Sequence, residues 1–286
     1  MRLKQFTLGI LALLGSGITA SAQKFFERHE YGIMAGGAQY FGDLNPGYGF
    51  NHIRPAGGAF YRYYFNPYIS LRVGLSYAQL GYKDSYSDNS YQKTRNLSFQ
   101  NNILEVSAIG EFNFFRFQTG NIDRRFTPYM VLGVGALYSN PFVMYSGRKT
   151  YLQPLGTEGQ NTTPYRDRRY NKVNVMAPFG AGIKCWLAPG VNLGVEIVHR
   201  FAFTDYLDDV SQTYVGVNYF TPNGTPNTAS VLQDPSLTID GQKLGRAGKQ
   251  RGDRATIDQY LIGQITLSFQ LKTYKCPSDN PIWDDY

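Results

Sequence analysis

Three histidines, two cysteines and one dense acidic run are the residues of this 286-residue chain that could do chemistry. His29, His52 and His199 fall on separate segments. There is no His-Cys cluster and no H-E-x-x-H pattern, so no zinc site is expected. His199 would need a nucleophile and an orienting partner to act as a general base. The run His199-Arg200-Phe201 offers no serine two positions on, and His199 reads as an interfacial ring. Thr204-Asp205-Tyr206-Leu207-Asp208-Asp209 gathers carboxylates, the oxygen ligands calcium takes. Their spacing is not that of an EF-hand loop, and carboxylates at a loop base pair with Arg or cap backbone donors, so no metal is expected. Arg251-Gly252-Asp253 is an integrin-type tripeptide, too short a match to carry a function. Gly180-x-Gly182 lies inside a strand pattern with no helix behind it, which excludes a phosphate loop. Cys185 and Cys276 lie on segments that are not neighbours, so no disulfide is expected between them.

The elements that would position these residues are strands. Charged residues are 17% of the chain, against about 25% in an ordinary soluble domain. Aromatics are 15%, with 23 Tyr, 19 Phe and 31 Gly. That composition disfavours disorder and helical bundles and suits strands. Arg2 and Lys4, the apolar run 6–14 and Ala20-Ser21-Ala22 read as a secretory signal peptide over residues 1–22. No later apolar run is long enough for a membrane helix. The net charge of +7 is scattered, and no nucleic-acid partner or cofactor is expected.

Eight strands are expected over 31–41, 56–65, 69–82, 102–114, 129–138, 177–187, 191–203 and 259–271. Each is near the ~9–11 residues that a tilted strand needs to cross a bilayer. The fourth is the clearest. Leu104, Val106, Ala108, Gly110, Phe112 and Phe114 share one face, and Glu105, Ser107, Glu111 and Asn113 share the other. A soluble lipocalin-like barrel would put the apolar face inside. Three features argue for the reverse. The polar faces carry charges of both signs, Arg62, Arg72, Lys184 and Arg200 against Glu105, Glu111 and Glu196, which can pair in a narrow lumen. Aromatics gather at both strand ends, Tyr63, Phe65, Phe112, Phe114 and Phe269 at one and Tyr77, Tyr138, Phe201 and Phe203 at the other. Connections alternate between tight turns, Asn66-Pro67-Tyr68 and Ala188-Pro189-Gly190, and the long stretches 42–53, 83–101, 139–176 and 204–258. The expected fold is all-β: an eight-stranded antiparallel outer-membrane barrel over 23–271, with long extracellular loops and a periplasmic tail over 272–286.

Eight strands leave a lumen that side chains fill. Lys184 and Glu196 are expected diagonal to each other on the lumen face, with Arg72 and Glu111 near the same depth. The long loops are polar and read as non-core-forming. Arg148, Lys149, Arg166, Arg168, Arg169 and Lys172 in the third long loop suit the phosphates of lipopolysaccharide. Arg116, Arg124 and Arg125 in the connection 115–126, with Trp283 and Tyr286 in the tail, suit a periplasmic partner.

Several runs resemble the PorG-like outer-membrane proteins of Bacteroidetes, which are associated with the type IX secretion system. They are Tyr40-Phe41-Gly42-Asp43-Leu44-Asn45, Arg54-Pro55-Ala56-Gly57-Gly58, Arg95-Asn96-Leu97-Ser98-Phe99 and Glu111-Phe112-Asn113-Phe114-Phe115. The most specific are Leu152-Gln153-Pro154-Leu155-Gly156-Thr157-Glu158-Gly159-Gln160 and Thr204-Asp205-Tyr206-Leu207-Asp208-Asp209-Val210-Ser211. The resemblance implies an eight-stranded barrel without enzymatic activity. It would be a structural component beside a periplasmic ring of PorK-like and PorN-like proteins. The alternatives are a generic surface barrel whose loops bind lipopolysaccharide or a surface ligand and, less favoured, a lipid-A-modifying enzyme. Some outer-membrane barrels modify lipid A with a histidine and a serine at the outer end of a strand, and the serine is missing here.

Overall fold

The computed structural model describes residues 28–221, 225–239 and 241–270. The expected signal peptide and the expected tail over 272–286, with Cys276, Trp283 and Tyr286, lie outside the described residues. The strands in chain order are β1 (His29–Phe41), β2 (Arg54–Tyr64), β3 (Ile69–Lys83), β4 (Ser98–Asn113), β5 (Phe126–Tyr138), β6 (Phe142–Tyr145), β7 (Arg148–Tyr151), β8 (Val173–Ala188), β9 (Val191–Ala202) and β10 (Gln259–Phe269). Sheet order is β3-β2-β1-β10-β9-β8-β5-β4, and β3 pairs with β4, which closes an antiparallel barrel of eight strands. β6 and β7 form a hairpin outside that circle, tied to β4 at Gln100 and Phe142. No helix among the described residues is long and apolar enough to cross a membrane.

The barrel is inverted relative to a soluble protein. Leu71, Val73, Leu75, Leu104, Val106, Leu132, Val134 and Ile197 all stand exposed on the outer wall. Their strand neighbours Ser70, Arg72, Ser76, Glu105, Ser107 and Glu196 are buried in the lumen. Period-two alternation with the polar set inside leaves the apolar set nothing to pack on but lipid. This is an outer-membrane-type barrel. The first strand, whose facing its glycines obscure, turns Glu30, Met34, Ala38 and Tyr40 inward. Gly32 shares that row because a Cβ there would fall 2.3 Å from the Phe60 ring, which fills the lumen beside it.

The two tight turns and the connection 114–125 share one end with both strand termini, the periplasmic end. At the other end the strands outrun the expected limits, β3 and β4 through Lys83 and Ser98 and β8 from Val173. They can do so because the loops there are folded, which corrects the expectation that they form no core. Leu44, Leu97, Leu152, Leu207 and Val210 are buried against Leu80, Phe99 and Met176 of the strands. A second cluster holds Val215, Phe220 and Ala229. Full burial of one such Leu or Val stabilises by roughly 1.5–3 kcal/mol. Two short helices brace this cap. In α1 (Ser90–Arg95) the Asn89 side chain accepts from Tyr91 N and Gln92 N, and Asn96 ends the helix at φ 55. In α2 (Thr228–Gln233) Asn227 accepts from Ser230 N.

Candidate functional site

Two polar assemblies occupy the axis of the molecule, one in the lower lumen and one in the outer cap. In the lower lumen Glu111 of β4 is the hub. Its carboxylate lies 2.9 Å from Arg62 Nε, 3.3 Å from Arg72 Nε and 3.1 Å from Lys184 Nζ. Arg62 also pairs with Glu30, and Arg72 Nη1 lies 2.9 Å from Glu196 Oε2. Three carboxylates therefore face three cations, all with side chains at most 3% exposed. Neutral donors finish the coordination: Tyr64 OH donates to Glu30 at 2.8 Å, Tyr129 OH to Glu196 at 2.7 Å, and Gln264 also donates to Glu196. Arg62 and Arg72 stack on Phe60 at 4.8 and 5.4 Å. Above this layer Ile109, Val131 and Val198 form an apolar plug with Tyr129. Above that, Arg200 Nε lies 3.0 Å from Glu105, which also accepts from Tyr260 OH. Charges sealed away from water hold only when paired and hydrogen-bonded, and these are both. The periplasmic mouth is closed by Phe117, 1% exposed, whose ring lies 5.4 Å from Lys184 Nζ, and by Thr119 donating to Asn192 at 3.0 Å.

The cap lock takes residues from all four long connections. Arg95 grips Asp84 with two bonds of 2.7 and 2.8 Å and donates to Arg251 O at 2.6 Å and Asp43 O at 3.0 Å. Arg251 Nη1 lies 3.0 Å from Glu158 Oε1 and donates to Asp209 O at 2.6 Å. Glu158 also accepts from the backbone of Ser211 and Gln212 at 3.0 and 3.1 Å. Beneath lies an acid-rich pocket. Tyr40 OH sits 2.6 Å from Asp208 and 2.8 Å from Asp258. One hydroxyl proton cannot serve two carboxylates, so the pair needs a proton of its own. Burial, then the charges of Asp258 and Asp43, pushes Asp208 well above the usual carboxylate range. Burial and Asp43 do the same to Asp258. Burial raises Asp43 to about 7 against the opposing Asp253 backbone bond and Arg95 charge. Burial raises Asp209 to about 6 against Arg251, and Asp205 to about 9. Among the described residues no His, Cys, Asp and Glu side chains are grouped as metal ligands.

A family model described as a domain of unknown function, DUF6089, matches residues 5–219, which is more than half of the chain. The chain belongs to the DUF6089 family. No curated protein matches it in sequence. Among solved structures it is similar to neisserial surface protein A (9% identity, TM-score 0.42, covering 85% of this chain and 97% of that one). It is also similar to Ail, the attachment invasion locus protein of Yersinia pestis (12%, 0.37, 86% and 100%), and to a major outer membrane protein of Thermus thermophilus (10%, 0.38, 84% and 98%).

In this DUF6089 barrel the expected lumen residues Arg62, Arg72, Glu105, Glu111, Lys184, Glu196 and Arg200 all lie in the lumen. Lys184 and Glu196 are diagonal in register, since Gly194 faces Lys184 and Gly182 faces Glu196. Lys184 nevertheless pairs across the lumen with Glu111, because Arg72 occupies Glu196. The sequence reading missed Glu30, placed one residue before the expected strand start, and Tyr64, Tyr129 and Tyr260, whose hydroxyls reach charges that alternation alone does not reveal. In the third loop Arg148, Lys149, Arg166 and Arg169 are exposed and Lys172 is half-buried. Arg168 is a correction. It is buried and donates to Thr213 O at 2.8 Å, so its guanidinium pins the fourth loop and does not meet ligand. Arg116 and Arg125 are exposed at the periplasmic end, while Arg124 is half-buried and donates to Gln118 at 3.2 Å. His199 sits on the outer wall, bonded to Gln259 at 2.7 Å and stacked against Phe41. The Arg of the Arg251-Gly252-Asp253 tripeptide is 2% exposed and belongs to the cap lock.

Proposed function

We propose that the protein is a non-enzymatic structural barrel of the outer membrane that serves type IX secretion by contacting a periplasmic ring of PorK-like and PorN-like proteins. The observation that carries this reading is the lumen, filled from Glu30 to Arg200 by paired charges and closed below by Phe117. With the interior occupied, the work falls to the surfaces. At the periplasmic end, Arg116 and Arg125 stand exposed beside Ile122, itself 71% exposed, and the sequence continues into the tail with Trp283 and Tyr286. Exposed aromatic and Arg side chains are the usual hot-spot residues of interfaces. Affinity purification from outer membranes tests the reading. PorK-like and PorN-like proteins should co-elute with the full chain and be lost on truncation after Lys272 or with Arg116→Glu and Arg125→Glu. A deletion strain that still secretes its C-terminally tagged cargo would refute it.

A second reading, a surface barrel whose loops hold lipopolysaccharide or a surface ligand, draws support from the hairpin β6–β7. Its second strand opens with exposed Arg148 and Lys149, with Lys149 Nζ 3.9 Å from the Phe142 ring centre. Lipopolysaccharide binding that survives neutralisation of the exposed loop cations would end it.

A further inference from the structure

The outer wall carries a second group of cations, away from the third loop, at the rim of β2 and β3. Along β3 the outward row runs Leu71, Val73, Leu75 and Tyr77, all exposed, then Gln79, Gly81 and Lys83. The Arg54 guanidinium lies down over Gly81. A Cβ at that glycine would fall 3.2 Å from Arg54 Cζ and Nε, so the missing side chain makes the seat. Arg54 Nε donates to His52 Nε2 at 3.2 Å, which leaves the neutral imidazole with its proton on Nδ1, a second donor at the rim. Burial and the neighbouring charges of Arg54 and Lys83 lower the pKa of His52, in keeping with that neutral form. None of the ion pairs among the described residues engages Arg54 or Lys83. The ion pairs of the lumen and the cap lock are formed inside the molecule, whereas Arg54 is half-buried and Lys83 exposed, and neither is spent in one of them.

Their height is informative. Gly81 stands four residues past Tyr77 of the outer aromatic girdle, roughly 10 Å higher at ~3.3 Å per residue and ~40° tilt. The headgroup layer begins at the girdle and is about 5–8 Å deep on each side of the hydrocarbon. The Arg54 guanidinium, seated on Gly81, therefore stands just above that layer and the Lys83 backbone about 5 Å higher at the same rise and tilt, both over a continuous apolar row. Ile53, 61% exposed, adjoins Arg54 in the chain and packs against Gly37 on the outside of the barrel. Cations over exposed apolar surface match one kind of partner, an amphiphile with a phosphate head and acyl chains.

We propose that Arg54, Lys83 and His52 Nδ1 form a binding site for the phosphate of an outer-leaflet lipid, with its chains lying along Tyr77 and Leu75. The site is independent of any secretion role and uses none of the third-loop cations.

The test uses the full chain in phosphatidylcholine nanodiscs doped with lipid A, either bisphosphorylated or dephosphorylated, with retained lipid counted by native mass spectrometry. The wild type should retain the phosphorylated form about tenfold or more over the dephosphorylated form, as two interfacial cations facing phosphate allow. That preference should shrink in high salt, where the screening length falls to about 3 Å. Arg54→Gln with Lys83→Gln should abolish it, while Arg148→Gln with Lys149→Gln should not. The unheated gel mobility of the folded barrel checks that the variants fold. The wild-type comparison of the two lipids stands even where a variant does not. Equal retention of both lipids, or equal loss in the two double variants, would overturn the site. Displacement of the lipid by excess inorganic phosphate would overturn the lipid assignment in favour of a soluble anion.

Discussion

The lower lumen and the outer cap both bury acids, and they neutralise them differently. In the lumen each carboxylate has a cation within reach, Glu111 three of them. In the cap Asp208 and Asp258 share a tyrosine hydroxyl with no cation paired to either. The lumen answers charge with charge, and beneath its Arg95–Asp84 and Arg251–Glu158 pairs the cap answers it with protons. The first arrangement is intolerant of mutation, because each charge depends on its partners. The second tolerates more change in sequence and responds to pH.

The largest effect should come from Glu111→Ala. Three cations lose their common partner in a sealed site, at a cost of about 3–5 kcal/mol. Urea unfolding of the barrel in vesicles would measure it, and a loss below about 1 kcal/mol would mean that water enters and solvates the cations. With the network intact, planar bilayers containing the wild type should carry negligible current, and large stable ion-selective currents would contradict the plugged lumen. Arg251→Ala should cost roughly 1.5–3 kcal/mol, confined to the cap, since charged hydrogen bonds to Glu158 and Asp209 are lost. Limited proteolysis should then cut the loops while the strands keep their heat-resistant mobility.

Next in size is a pH effect that should separate the two regions. A carboxyl whose folded pKa is raised binds its proton more tightly in the closed cap than in the opened one. Cap stability is thus complete near pH 4 and falls as pH rises through about 6 for Asp209, about 7 for Asp43 and about 9 for Asp205. After correction for intrinsic rates, exchange of cap amides should accelerate between about pH 4 and 9, and more than that of strand amides. Parallel acceleration in both would erase the distinction. The smallest effect belongs to Arg148→Gln with Lys149→Gln. Two exposed cations should change stability by less than about 0.5 kcal/mol, readable as an unchanged urea midpoint.

The barrel was legible in the sequence because a membrane wall imposes a strict rule, and β4 obeys it at every second residue from Leu104 to Phe112. β1 was harder to orient, since Gly32, Gly36 and Gly37 show no side chain to count, and with it went Glu30. The cap was read as uncommitted loop. Its core comes from single residues, Leu44, Leu97, Leu152 and Leu207, each isolated in a polar stretch with no period. Arg168 and Arg251 look like any surface arginine until the carbonyls of Thr213 and Asp209 are seen around them. Local pattern reports the strand's environment, whereas the cap is made of contacts between loops far apart in the chain.

The four-loop origin of the cap lock fixes an order of events. Asp43 comes from the first long connection, Arg95 from the second, Glu158 from the third and Arg251 from the fourth. Each connection joins its own pair of strands, and the fourth leads into β10, the strand that closes the circle on β1. The lock cannot engage on a partial barrel. Its closure therefore registers the completion of insertion, and a protein stalled with three hairpins across would carry its loops open to proteases on the cell surface.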